Sequence, residues 1–279
     1  MVRIISDTST MYSSQQAKEK GFHVSPLSVT INNQTYRELN EITAEEFVAI
    51  IHQGHMPISS QPAIGEVMEV YETFKDDVII NIAMADGLSG TYSSAVAAAN
   101  MAENQDNITV INSRTLCGPH RYMVEAAAEL ASQGKNHDEI CAAVEALMDQ
   151  NKSFLLPADF DYLRRGGRLS PLVSYVGKTI RLVPVLTTSE DGRQLVMGSI
   201  RRNDKQAFAY LAGEMQKMNV GEGWRVYVTH ADAYDRAVSA RQALEAQFPA
   251  AKFEILPLTP AFITQGGPGC IAVQYIKEL

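Results

Sequence analysis

Apolar residues along this chain follow two alternating rhythms. Val78-Ile79-Ile80-Asn81-Ile82-Ala83-Met84 is a nearly unbroken apolar, β-branched run, the pattern of a strand covered on both faces of a parallel sheet. From Thr91 the pattern changes to Ser93-Ser94-Ala95-Val96-Ala97-Ala98-Ala99, alanine-rich and spaced as a helix. Val2–Ile5 and Ile108–Ile111 read as further strands. Helices are predicted from Thr43-Ala44-Glu45-Glu46 to about His52, from Ile64 to Phe74, and near 117–133 and 137–150. Strands alternating with helices at this spacing predict a mostly parallel sheet flanked by helices. Two interruptions stand out. Phe22–Tyr36 alternates around Asn32-Asn33 and predicts a small hairpin, and Pro57 and Pro62 exclude regular helix from Met56–Ala63, leaving an exposed turn.

Near residue 153 the texture changes. Phe154–Leu156 is a strand, and Arg164-Arg165-Gly166-Gly167-Arg168 follows, then a short helix. Val183–Thr188 and Gln194–Gly198 form a plausible antiparallel hairpin across Glu190-Asp191-Gly192. Helix 204–218, strand Trp224–Thr229, helix 233–247 and strands Lys252–Pro257 and Cys270–Tyr275 complete the pattern. The expectation is an α/β protein of two domains, residues 1–152 and 153–279. The first holds a mostly parallel sheet, the second a mixed or antiparallel sheet with helices.

Charge and cysteine content narrow the function classes. Twenty-four basic against 32 acidic residues leave a net charge of −8, which argues against a general nucleic-acid surface. Cys117, Cys141 and Cys270 are odd in number and widely separated, so a reducing cytosol is expected rather than a disulfide framework. The first ten residues hold no signal-like stretch, and no run of eighteen apolar residues occurs. These observations predict a soluble, cytoplasmic protein.

The turn Ala85-Asp86-Gly87-Leu88-Ser89-Gly90-Thr91-Tyr92 concentrates the chemistry. A strand that turns through small hydroxyl residues into a helix leaves backbone N–H groups at the positive end of the helix dipole, which favours an anion. Two other readings stand beside this one. Ser89 can be a plain hydroxyl cap. It can also be a nucleophile, since Gly87-Leu88-Ser89-Gly90 approaches the G-x-S-x-G elbow, with Thr91 in place of the final glycine and His230 as the candidate base. Asp7 or Ser9, after the first strand, reads as a helix cap. The three arginines of 164–168 suit a carboxylate, a phosphate or an acidic partner, with Arg168 the one expected to face a site. Gln265-Gly266-Gly267-Pro268-Gly269 lacks the ending of a phosphate loop. His52 and His55 have no companions at ligand spacing and read as surface residues.

Four stretches, Ser6-Asp7-Thr8-Ser9, Ser59-Ser60-Gln61-Pro62, Leu88-Ser89-Gly90-Thr91-Tyr92 and Leu163–Arg168, resemble in order and separation the DegV family of bacterial fatty-acid-binding proteins. Gly267-Pro268-Gly269 is a fifth. The resemblance spans essentially the whole chain. It implies a two-domain protein without catalytic activity or cofactor, with an acyl tail buried between or beneath the domains. The carboxylate would be held at Ser59, Ser60, Ser89, Gly90 and Thr91, with Arg168 on the head-group face and Gln265 nearby. It also implies that the fatty acid is handed to a separate fatty acid kinase, with at most transient membrane contact. Three departures qualify the match: Ser59 stands where Thr is common, Ala63 where Ser often follows, and Gln265 where His is usual, so a charged donor is lost at that position. Phe160, Leu172, Val176 and Ile180 are candidate tail contacts. A sugar- or phosphate-binding regulator is the remaining alternative.

Overall fold

The computed structural model describes residues 1–167, 182–189 and 191–279. It divides into two units: Met1–Asp149 with Thr259–Ala261, and Gln150–Leu258 with Phe262–Leu279. Where the sequence pattern placed the boundary near 152 and everything after it in the second domain, three residues, Thr259–Ala261, belong to the first unit.

The first unit runs β1 (Val2–Asp7), α1 (Ser14–Glu19), β2 (His23–Ser25), β3 (Ser28–Ile31), β4 (Gln34–Arg37), α2 (Ala44–His52), β5 (Ile58–Ser60), α3 (Ile64–Thr73), β6 (Val78–Ala83), α4 (Thr91–Met101), β7 (Ile108–Asn112), α5 (Cys117–Ser132) and α6 (His137–Met148). Its main sheet is all-parallel in the order β2-β1-β6-β7. Alternate residues of β1 and β6 enter separate cores. Ile5 and Ile79 pack with Val67 and Tyr71 of α3 and Ala98 of α4, while Ile4, Ile80 and Ile82 pack with Val124 of α5 and Ile140 and Val144 of α6. Both faces are therefore covered, which is why the β6 run carries so few polar residues. Capping boxes start α1 (Ser13 with Gln16), α2 (Thr43 with Glu46) and α6 (Asn136 with Glu139).

A small antiparallel sheet, order β4-β3-β5, completes this unit. Asn32 and Asn33 both adopt positive φ (50° and 59°) at the β3–β4 turn, the conformation a two-residue hairpin loop demands. Two sequence readings need correction here. His23–Ser25 leaves the predicted hairpin and pairs parallel with β1. Ile58–Ser60, expected as irregular turn, is an edge strand beside β3, its run bounded by Pro57 and Pro62.

The second unit runs β8 (Asn151–Leu156), α7 (Phe160–Gly166), β9 (Val183–Thr188), β10 (Leu195–Arg201), α8 (Asp204–Lys217), β11 (Trp224–His230), α9 (Tyr234–Glu245), β12 (Lys252–Pro257), α10 (Pro260–Gly266, entered from the first unit) and β13 (Ile271–Lys277). The sheet order is β10-β9-β8-β13-β11-β12; among the described residues β11 and β12 pair parallel and the other neighbours antiparallel, so the mixed sheet expected from the sequence is present. Phe154, Val226, Val228 and Val273 pack on one face with Phe208 and Leu211 of α8 and Ala237 and Leu244 of α9. On the other side Leu163 of α7 and Leu186 are buried, with Leu155, Phe160, Leu195 and Met197 half-buried against them. The predicted helix after Arg168 lies outside the described residues. Among the described residues no helix is long and apolar enough to cross a membrane.

Candidate functional site

The parallel sheet of the first unit reverses its winding between β1 and β6. The chain leaves β1 toward β2 on one side and leaves β6 toward β7 on the other. The crevice beyond the carboxyl ends of such a strand pair is where open α/β sheets receive ligands. Two polar turns occupy it here: Asp7–Thr10 after β1, and Ala85–Gly90 leading into α4 after β6.

The second turn is held by its own backbone. Ala85 accepts from the N–H groups of Leu88 and Ser89 at 3.1 and 3.2 Å, and Gly90 accepts from Ser94 at 2.9 Å. Gly90 is the helix N-cap and brings no side chain to the first-turn N–H groups. Ser89 Oγ lies 2.8 Å from Thr91 Oγ1 and accepts the Thr91 N–H at 3.3 Å. The hydroxyls of Ser89 and Thr91 are thus paired at a helix start, half-buried and buried respectively. Such a pair, with the dipole behind it, suits a carboxylate or other small anion.

Gly90 also brings the Ser59–Pro62 segment to this turn. A Cβ there would come within 2.9 Å of the Gln61 carboxamide carbon, so Gln61 rests directly on the Gly90 backbone. Ser59 and Ser60 end β5 immediately before it. Five of the seven sequence-selected residues, Ser59, Ser60, Ser89, Gly90 and Thr91, therefore sit on the end of β5 and on the turn into α4, within one unit.

Beneath the crevice lies a polar hub that sequence reading only partly found. Asp7 is 2 % exposed; its carboxylate accepts the Ser9 N–H at 2.9 Å and the Met84 N–H at 3.1 Å. It caps the short turn after β1, as expected, and also ties that turn to the end of β6, which was not expected. His120 of α5 is fully buried. Ser6 Oγ donates to the Ile82 carbonyl at 2.7 Å, so the His120 Nε2 at 2.9 Å is the donor to Ser6, and Nδ1 faces Ser113 Oγ at 3.0 Å. Burial pushes this imidazole below its ordinary pKa, with Asp7 opposing. Glu38, also fully buried, accepts from Thr8 Oγ1 at 2.5 Å and from the Ala261 N–H at 2.8 Å. Ser9 Oγ is buried without a hydrogen-bond partner among the described residues. The Ser6–Ser9 cluster was visible in the sequence; nothing in local pattern marked Glu38 or His120 as its neighbours.

The other predicted residues fall elsewhere. Arg168, Leu172, Val176 and Ile180 lie outside the described residues. Gln265 is on α10 rather than in a loop, and its side chain packs in the second unit so tightly on Gly166 that a Cβ there would lie 1.9 Å from Gln265 Oε1. Phe160 joins the half-buried apolar set around Leu163 and Leu186. Arg164 pairs with Asp161 at the exposed end of α7. His230 ends β11 in the second unit, where its Nδ1 accepts from the Ala233 N–H at 3.4 Å and its ring meets Tyr234; burial lowers its pKa. The hydrogen bonds of Ser89 Oγ run to Thr91, not to an imidazole. Among the described residues no cluster of three His, Cys, Asp or Glu side chains suits a metal ion.

Comparison with known proteins covers the chain end to end. A family model described as "Uncharacterised protein, DegV family" matches residues 1–278. A DegV domain-containing protein of Staphylococcus aureus (strain N315) is 28% identical over 282 residues, spanning 99% of this chain and 98% of that protein. The crystal structure of DegV from Bacillus subtilis, described as a fatty acid binding protein, is 26% identical with a TM-score of 0.87 and 99% of each chain covered. A DegV family protein from Thermus thermophilus shares the fold at TM-score 0.89 and 24% identity, again over 99% of each chain.

Proposed function

The chain belongs to the DegV family, and from that premise we propose that it binds a long-chain fatty acid whose carboxylate sits at Ser59, Ser60, Ser89, Gly90 and Thr91. The observation that carries this reading is the seating of Gln61 on Gly90, which brings the hydroxyl-bearing end of β5 to the hydroxyl-bearing turn at the crevice between β1 and β6. The Bacillus subtilis relative, which is described as binding fatty acid, supports the ligand class. An acyl tail of about fourteen methylenes is worth at most roughly 11 kcal/mol when buried, at about 0.8 each, less several kcal/mol for ordering and association. The tail therefore supplies most of the affinity, while each hydroxyl bond to the carboxylate adds about 1.5–3 kcal/mol and fixes orientation. The family resemblance alone further suggests Arg168 and Gln265 for the head group, and Phe160, Leu172, Val176 and Ile180 for the tail. The protein acts in the cytoplasm as a carrier without catalytic activity, presenting its ligand to a separate fatty acid kinase.

Titration calorimetry of Ser89→Ala with oleate and palmitate tests the assignment. Loss of a hydrogen bond to a charged carboxylate, about 1.5–3 kcal/mol, predicts affinity weaker by roughly ten- to a hundredfold. Unchanged affinity and unchanged carboxylate accessibility would remove Ser89 from the site. The hydrolase reading makes the opposite chemical prediction, covalent labelling of Ser89 by an organophosphorus probe, because only an activated serine reacts.

A further inference from the structure

We propose that Gln61 is a specificity-determining residue of the fatty-acid site, its carboxamide supplying a neutral N–H donor that favours a carboxylate head group over an uncharged one. The inference rests on the fatty-acid reading above. The chain on either side fixes where the Gln61 side chain starts. Ser59 and Ser60 are held in β5 opposite Val29 and Ser28, and Pro62 confines the residue before it to extended backbone. From there the side chain reaches Gly90. A Cβ at Gly90 would lie 2.9 Å from the Gln61 carboxamide carbon and 3.0 Å from both Nε2 and Oε1. Near-equal distances to all three atoms mean that the carboxamide lies flat over Gly90, with its N–H and C=O edges directed away from the glycine.

Three features make this amide a head-group contact. Gln61 is exposed, and no hydrogen bond to a described residue engages its carboxamide. The residue beneath it is the uncapped start of α4, whose first i→i−4 bond is Ser94 N–H to the Gly90 carbonyl; the amide and the first-turn N–H groups therefore flank one place. Finally, neither Phe47–Gly65 nor Gly87–Ala102 contains an Asp, Glu, Lys or Arg. These two segments can hold an anion only through neutral donors. A hydrogen bond to a charged acceptor is about twice as strong as one between neutral groups, so each such donor adds preference for a carboxylate over an alcohol. A carboxamide that can turn over brings its NH2 to either side.

Competition binding of oleate and oleyl alcohol at pH 8 tests the assignment. Wild type is expected to prefer oleate. Gln61→Glu keeps the side chain's shape and sets a negative charge against the head group. Its oleate affinity is expected to fall about a hundredfold, with oleyl alcohol held within about threefold because a hydroxyl can donate to the new carboxylate. Gly90 has φ −74°, which alanine adopts freely, so Gly90→Ala acts by pushing the carboxamide aside. It is expected to weaken oleate about tenfold in wild type and to add little in Gln61→Ala. Equal loss for both ligands in Gln61→Glu, loss for neither, or additive effects of Gly90→Ala and Gln61→Ala would overturn the role of Gln61 alone. A wild type that binds neither ligand would refute the fatty-acid reading itself, and this inference with it.

Discussion

Asp7 offers the sharpest test of how the site is built. Its two oxygens satisfy two N–H groups on different strand ends, Ser9 at 2.9 Å and Met84 at 3.1 Å, in surroundings 2 % exposed. Asp7→Ala strands both donors, and each buried unsatisfied group costs about 1–3 kcal/mol. The expected loss is therefore about 2–6 kcal/mol, a large share of a normal domain's stability. Asp7→Asn keeps one acceptor, which can still take the Ser9 N–H, but sets an NH2 against the other donor. That variant should lose about 1–3 kcal/mol. Urea denaturation at fixed pH, with the midpoint shifts read at unchanged m-value, measures both. The reasoning fails if alanine costs less than about 0.5 kcal/mol, or if asparagine is as damaging as alanine.

Two further perturbations follow from geometry and titration. Gly267 has φ 72°, and a Cβ there would approach the Tyr162 ring to 2.7 Å. Gly267→Ala should cost about 2–5 kcal/mol, combining left-handed strain with overpacking, and the added Tyr162→Ala change should recover part of it; an unaltered thermal midpoint would contradict the close approach. Glu38, raised to about 7 by burial, contributes stability that is fully present below about pH 4.5 and is lost as pH rises through 7, by roughly 3 kcal/mol. His23, His120 and His230, lowered mainly by burial, act in the opposite sense, so the measurement is the difference between wild type and Glu38→Gln across that range. Parallel stability curves for the two proteins would contradict the assignment.

Much of the frame was legible because local pattern and tertiary role agree. The apolar run of β6 announced a strand covered on both faces, the Asn32-Asn33 pair announced a turn, and the small hydroxyl residues after β6 announced the turn into α4. What escaped the sequence depends on partners far apart in the chain. Glu38 and Ala261 are 223 residues apart, and Ser6 and His120 are 114 apart; each looks ordinary among its sequence neighbours. Helix α10 was missed because seven residues opened by a proline and closed by Gly266 carry too little periodicity to register. β5 was read as a turn because its three residues gain strand character only from pairing with β3.

The proposed function requires that the protein hold a fatty acid with no covalent bond to it. Native mass spectrometry of protein purified from bacteria without added ligand, followed by the same measurement after denaturation, tests this directly. The expected result is an adduct of fatty-acid mass that disappears on denaturation and is diminished in Ser89→Ala. An adduct that survives denaturation, or a bare protein that takes up neither oleate nor palmitate, would contradict it.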